Sequence, residues 1–391
     1  MYRVGEKEVQ AVRRALTSGK IFRYGLGGEC SRFEERLAKY LGVKHVHMTA
    51  SGTNALTAIL VGLHIGPGDE VIVPACTYMA TAVAVLGAGA IPVIVDIDDS
   101  ITLDPKALEE AIGPRTKAVI PVHMWGLACN MDAIMKVTGK HRLLVIEDAC
   151  QAVGGAYKGR MLGSIGDAGV FSFNYYKNMT SGEGGAFVSN DDRVVQRAAC
   201  MIDCCRFYWD GRDSYLEPFI SNGARASEIE GAIMNVQLDR LPAMIRRTRS
   251  QKMRILRETA DTGLTPIRAN SPEYECGSHV MWTLSTAERA DEFCRLAGGT
   301  VAGKTGRHVY TEWDPVLQHQ GAHHPALNPY LLKENEGCRM TYTKDMCSRS
   351  LGILSRTVML GTHPNYKRRD VTAIIRRARS AAEEALASPA R

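Results

Sequence analysis

The segment LLVIEDACQAVGG (residues 143–155) opens on a run of branched apolar residues and closes it with two acids, Glu147 and Asp148, ahead of a glycine pair. A continuous apolar run of this length, followed by small residues, reads as a strand buried on both faces. A carboxylate that finishes such a strand is costly to bury unless a cation or donors meet it. Runs of the same kind recur on either side: HVHMTA (45–50), EVIVPAC (70–76), IPVIVDI (91–97), KAVIPVH (117–123), GVFSFN (169–174) and Ala186–Ser189. Between most of them lie stretches that suit helices, such as Asn54–His64 and Pro105–Ala111. Buried strands alternating with helices imply an α/β fold whose mostly parallel sheet is flanked by helices on both faces. Residues 225–260 read as a long helical region, and beyond it the pattern loosens into weaker strands and helices. Two units are predicted, residues 1–250 and a smaller α/β C-terminal domain over 251–391.

The chain has 391 residues, 45% hydrophobic and 23% charged, with a formal net charge of +6. This composition excludes disorder, a collagen-like fibre and a coiled coil. No apolar run approaches the about 20 residues of a membrane span. The first residues, MYRVGEKEVQAVRRAL, carry charge throughout and lack the apolar stretch of a secretion signal, so a cytoplasmic protein with no membrane partner is expected. The basic clusters Arg246–Arg254 and Lys367–Arg379 fall where apolar residues recur every three to four positions. They read as solvated helix faces, and no nucleic-acid partner is expected. The 11 cysteines are scattered, and Cys200, Cys204 and Cys205 match no zinc spacing, so reduced thiols are expected. His319, His323 and His324 have no carboxylate or thiol spaced to complete a metal site; they read as incidental histidines of a surface loop.

Ligands of parallel sheets bind at the carboxyl ends of the strands, and four features fall there. Ser51-Gly52-Thr53-Asn54 follows the first strand and opens a helix. Such a turn is either an ordinary N-cap or a phosphate cradle. Glu147 and Asp148 end the strand quoted above, where a protonated pyridine nitrogen, or a structural hydrogen bond, would partner an acid. Lys177 stands before the glycine-rich Ser181–Gly185; there a lysine acts as an amine nucleophile or is merely solvated. Tyr78 follows the second strand, placed to stack on a planar ring or to fill core.

The succession SGTNAL (51–56), VIVPACTY (71–78), VIEDACQAVGG (145–155) and FSFNYYKNMTSGEGG (171–185) resembles the DegT/DnrJ/EryC1/StrS family, as do VHMWGLACNMDAI (122–134) and SNGARASEIEGAIMNVQLDRL (221–241). The resemblance covers residues 20–255 well and the rest loosely. It implies an aspartate-aminotransferase-like fold (pyridoxal-phosphate fold type I) with an N-terminal arm, a large cofactor-binding domain and a small C-terminal domain. It also implies pyridoxal 5'-phosphate as cofactor. By the same resemblance Lys177 carries the cofactor as a Schiff base and Asp148 pairs with its ring nitrogen. Gln151 lies beside the ring hydroxyl, Tyr78 stacks on the ring, and Gly52, Thr53 and Ser172 bind the phosphate. Asn222 is lent to the neighbouring subunit's phosphate, which implies a homodimer with shared active sites.

The activity so implied moves an amino group from glutamate or glutamine to a keto group of a sugar, cyclitol or related intermediate, in a ping-pong cycle of the kind used in antibiotic or surface-polysaccharide pathways. Relatives that dehydrate commonly carry histidine at the lysine position, so Lys177 favours transamination over such a dehydratase, while a lyase that retains lysine and an amination–dehydration synthase stay open as alternatives. A non-catalytic binding protein on the same scaffold is a third reading, set against the complete cofactor set that the resemblance implies. Departures cluster where substrate would sit: Asn174 replaces a common histidine, Ala224 a common aromatic, and the 360–371 region and the stretch 305–330 are atypical. Within that stretch His308 and Tyr310 are the candidate substrate contacts.

Overall fold

The computed structural model describes residues 4–24, 28–206, 208 and 219–387. The central sheet holds β1 (His45–Thr49), β2 (Glu70–Pro74), β3 (Ile91–Val95), β4 (Thr116–Val119), β5 (Leu144–Asp148), β6 (Ala168–Ser172) and β7 (Gly185–Ser189). Their order across the sheet is β1-β7-β6-β5-β4-β2-β3. β2 to β6 pair in parallel, and β7 runs against both β1 and β6. Alternate residues of each strand feed opposite cores, as the two-residue strand period requires. Val71, Val73, Ile146 and Val170 enter one core, while Ile72, Val145 and Phe171 enter the other.

Helices cover both faces. α1 is Glu6–Thr17, α2 Glu29–Leu41, α3 Gly52–Gly62, α4 Ala80–Gly87, α5 Pro105–Glu110, α6 Met131–His141, α7 Asp192–Ile202 and α8 Glu228–Glu258. Several begin where the sequence offers a cap: Ser51, Asp104, Asn130, Asp191 and Ser227 each accept an N–H of the following turn. Ser227 and Glu230 complete a reciprocal capping box on α8. The apolar α3 buries residues around most of its circumference, whereas α2 buries only the stripe Cys30, Phe33, Leu37 and Leu41.

A second, antiparallel sheet joins β8 (Thr265–Pro266), β9 (His279–Thr283), β10 (Thr300–Val301) and β11 (Thr357–Gly361) in the order β8-β9-β11-β10. Its core includes Val280, Trp282 and Leu360, packed with Phe293 of α9 (Ala287–Ala297) and Ile374 of α11 (Arg368–Ala387). Ile255, near the end of α8, belongs to this core, and position 250 lies inside that helix. Most basic residues of the clusters on α8 and α11, among them Arg246, Lys367, Arg368, Arg369, Arg376 and Arg377, are exposed, as a solvated face requires, and a few are bonded. Arg249 donates to the carbonyls of Glu275 and Tyr274, Arg254 to Thr372, and Arg379 to the carbonyl of Glu258. No helix among the described residues is long and apolar enough to cross a membrane.

The stretch 305–330 is not a surface loop throughout. Val309, Tyr310, Trp313, Val316 and Tyr330 are buried in the core of the large sheet, and His319 stacks on Tyr330 with ring centroids 4.5 Å apart. Residues beyond it, with α10 (Ser348–Arg356), strap the edge strand β3. The Tyr342 hydroxyl donates to the Pro92 carbonyl at 2.7 Å, and the Ile97 amide to Ser350 Oγ at 2.9 Å. Asn335 donates to the Gly89 carbonyl at 2.9 Å, just ahead of β3. This covering explains why an edge strand can be apolar and buried along its whole length.

Candidate active site

The turns after β1, β2, β5 and β6 converge on one edge of the sheet and enclose a cavity of about 690 Å³. Asp148, last residue of β5 and 5% exposed, forms part of its lining. Its Oδ2 accepts from Thr81 Oγ1 at 2.8 Å and its Oδ1 from the Cys150 amide at 3.1 Å. Thr81 Oγ1 lies 2.7 Å from Thr77 Oγ1, so the first turn after β2 props the acid at the end of β5. Glu147 is fully buried elsewhere, accepting from the amides of Gly163 and Gly166 at 2.9 and 2.8 Å and meeting His123 Nε2 at 2.9 Å. Because the Cys129 amide donates to His123 Nδ1, the imidazole proton sits on Nε2 and is given to Glu147. One acid of the pair is thus structural and the other faces the cavity.

Ser51 caps α3, its Oγ accepting from the Asn54 amide at 3.1 Å, and Gly52 and Thr53 line the cavity at this helix N-terminus. A Cβ on Gly52 would stand 2.9 Å from Ser172 Cβ and 3.0 Å from Cys150 Sγ, so the close packing of α3 on β6 admits only glycine. Ser172, buried at the end of β6, lines the same end. The positive end of a helix beside small residues is a fitting place for an oxyanion.

Lys177 is half-buried in the loop after β6, its amide bonded to the Asn174 carbonyl at 2.9 Å, and its side chain lines the cavity. Its charge is felt on both sides. Burial pushes the Cys150 thiol well up, with Asp148 adding to the rise and Lys177 opposing it. Burial lowers His308, and Lys177 and Arg307 lower it further, against the Thr305 carbonyl. Lys177 thus shares the cavity with Cys150, two residues from Asp148, and with His308.

That far wall is built by sequence distant from the sheet. Thr77 and Met79 donate to the carbonyls of His308 and Arg307 at 3.0 and 3.1 Å, and Tyr310 donates to that of Ala75 at 3.1 Å. The His308 ring centroid lies 5.8 Å from Tyr78 and 5.9 Å from Trp125. Trp125, with φ of 50°, gives its amide to Gln151 Oε1 at 3.3 Å, and its carbonyl accepts from Ser278 Oγ at 2.6 Å. His279 adjoins it; burial depresses its imidazole to about 4, and Lys252 and His308 add to the fall against the Trp125 carbonyl.

The cavity thus gathers Gly52, Thr53, Tyr78, Asp148, Gln151, Ser172, Lys177 and His308. Tyr310 is the exception: its ring is fully buried, and its hydroxyl is spent on the Lys344 carbonyl at 2.7 Å and the Cys347 amide at 3.2 Å, so it anchors the segment instead of meeting substrate. Asn222 is exposed and does not line this cavity. Sequence reasoning missed Thr81, Trp125, Ser278, His279 and Arg307. Only Thr81 had a signal, its spacing of four residues from Thr77 at the start of a helix. Among the described residues no His, Cys, Asp and Glu group could hold a metal ion.

The chain matches the DegT/DnrJ/EryC1/StrS aminotransferase family over residues 3–379. A 214-residue stretch is 45% identical to GDP-perosamine synthase of Caulobacter vibrioides, spanning 54% of this chain and 56% of that protein. A 195-residue stretch is 44% identical to the spore coat polysaccharide biosynthesis protein SpsC of Bacillus subtilis, 50% of this chain and 49% of that one. The chain thus spans about half the length of these curated relatives. Among solved structures, DesV of S. venezuelae in complex with a ketimine intermediate superposes with a TM-score of 0.76 at 29% identity, covering 96% of this chain and 94% of that one. 3-Amino-5-hydroxybenzoic acid synthase superposes with a TM-score of 0.80 at 26% identity, covering 98% and 97%. A sheet that brings Asp148, Lys177 and the Gly52 turn to one edge, and a match running almost from end to end, place this chain in the DegT/DnrJ/EryC1/StrS aminotransferase family.

Proposed function

We propose that the protein is a pyridoxal-phosphate-dependent aminotransferase. It moves an amino group from glutamate or glutamine to a keto group of a sugar, cyclitol or related biosynthetic intermediate. The observation that carries this reading is the pairing of a buried carboxylate, Asp148, with a primary amine, Lys177, in one cavity whose other end is a helix N-terminus.

The residues present fit the cofactor. Asp148 is buried and held by two donors, as a carboxylate that meets a protonated ring nitrogen must be. Gly52 leaves clear the space a Cβ would take beside Ser172, and Thr53 and Ser172 complete a phosphate end. Tyr78 would stack on the ring, Gln151 would lie beside its hydroxyl and Lys177 would hold it covalently. When bound, pyridoxal phosphate supplies an aldehyde that takes up amino groups and a ring that accepts electron density.

The chain's own part is positioning and proton movement. Thr81 and the Cys150 amide fix Asp148, and the Thr77–Thr81 contact fixes Thr81. Lys177 Nζ is the cavity's primary amine, able to take a proton from a substrate carbon and return it. Donor and acceptor use the same cavity in turn, which makes the cycle ping-pong. The exposed Asn222 supports a homodimer in which each chain lends that residue to its partner's phosphate site. A cytoplasmic location is part of the same proposal.

The test is spectroscopic and chemical. Purified protein with pyridoxal phosphate should show a visible absorption band that is lost in Lys177→Ala, and should release keto acid from glutamate or glutamine. A protein that stays colourless with added cofactor overturns the reading.

A further inference from the structure

Among the described residues that line the cavity, the only lysine or arginine besides Lys177 is Arg307. It comes from the stretch 305–330. Its backbone is held on three sides: its carbonyl accepts from Met79 at 3.1 Å and from Trp313 Nε1 at 3.0 Å, and the next carbonyl accepts from Thr77 at 3.0 Å. The guanidinium carbon stands 5.4 Å from the Tyr78 ring centroid, an aromatic support that orients a planar cation. Yet no acid among the described residues pairs with it. The one acid near the rim, Glu183, instead receives the Asn174 side-chain amide on both oxygens at 3.0 Å. A pre-oriented, exposed and unpaired guanidinium at the mouth of a reactive cavity is the arrangement that recognises a planar or tetrahedral oxyanion. Burial lowers both neighbouring histidines, His279 and His308, which disfavours their charged forms.

We infer that Arg307 is the oxyanion receptor of this cavity, binding a carboxylate or phosphate group of a substrate while Lys177 serves the reacting end. The inference rests on the aminotransferase reading and adds to it that at least one of the two substrates is anionic at this end. The anion has two possible sources: the side-chain or α-carboxylate of the amino donor, or a phosphate or carboxylate on the acceptor.

The experiment uses the cofactor-loaded protein and the variants Arg307→Ala and Arg307→Lys. Glutarate, a dicarboxylate without an amine, and inorganic pyrophosphate are titrated by calorimetry. Keto-acid release from glutamate gives KM and kcat for the donor half of the cycle. Arg307→Ala should weaken at least one probe about 10- to 100-fold, the range of a lost charge-assisted hydrogen bond, and Arg307→Lys should restore part of it. Weakened glutarate with a raised glutamate KM and little change in kcat assigns the anion to the donor. Weakened pyrophosphate alone assigns it to the acceptor. Wild-type affinity for both probes in Arg307→Ala overturns the inference, and an unchanged visible band in that variant shows that the fold and cofactor survive. Failure of the wild-type protein to bind cofactor or release keto acid sinks the function reading instead.

Discussion

Thr81 Oγ1 donates to Asp148 Oδ2 at 2.8 Å, joining the first turn of α4, which follows β2, to the last residue of β5 across the intervening strand β4. The contact is buried, so its loss leaves Asp148 with one side-chain donor fewer. Thr81→Val should therefore weaken pyridoxal-phosphate affinity by about 1–3 kcal/mol, read by titrating cofactor-free protein and following absorbance. An affinity equal to wild type would show that Asp148 is held without Thr81.

Gly52 offers a steric test of the same site. In Gly52→Ala the added carbon meets Ser172 Cβ at 2.9 Å and Cys150 Sγ at 3.0 Å, and neither is the tip of a long flexible chain. The expected cost is about 1–3 kcal/mol, seen as a lower urea midpoint together with weaker cofactor binding. Full stability and affinity would mean that α3 moves away from β6 freely.

Lys252 Nζ and Glu275 Oε2 form an ion pair of 2.6 Å with side chains 8% and 1% exposed, and Glu275 Oε1 has no hydrogen-bond partner among the described residues. Lys252→Met should destabilise the protein by about 3–5 kcal/mol by stranding the acid. The double variant Lys252→Met with Glu275→Leu should recover most of that loss. Denaturant curves of the three proteins check this, and equal losses in the single and double variants would contradict it.

His279 predicts an acid-labile fold. Its imidazole titrates at about 4 in the folded chain against an ordinary 6.5. Below pH 6.5 the unfolded chain takes a proton that the folded one refuses, so stability falls as pH drops from 6.5 towards 4 and is unaffected above. The loss from this one group is about 2 kcal/mol at pH 5. His279→Gln should narrow the gap between urea midpoints at pH 7.5 and pH 5; an unchanged gap would assign the acid sensitivity to other groups.

The parts of this molecule legible from its sequence are those where local rules and long-range packing agree. LLVIEDA is apolar because β5 is buried on both faces, and Ser51 follows β1 because α3 needs a cap. Asp148 could be singled out as an acid in the wrong place, but nothing local told it from Glu147. The difference lies in which face each side chain takes and in partners such as Gly163 and Thr81, 16 and 67 residues away. The second wall was less legible still. Arg307 and His308 reach the cavity only because an irregular segment is bonded along the end of β2, a juxtaposition that carries no periodicity. Tyr310 went astray for the same reason, since its neighbour in sequence faces the cavity while its own ring turns into the core.

The strap over β3 bears on how the chain comes off the ribosome. Tyr342, Cys347 and Ser350, which dress that outer strand, are synthesised some 250 residues after it. Throughout that interval a nascent chain carries a sticky, unfinished edge that could recruit a strand from a neighbour. Premature termination before residue 340 would leave that edge permanently bare, so clumping of truncated products is the cost of closing the sheet so late.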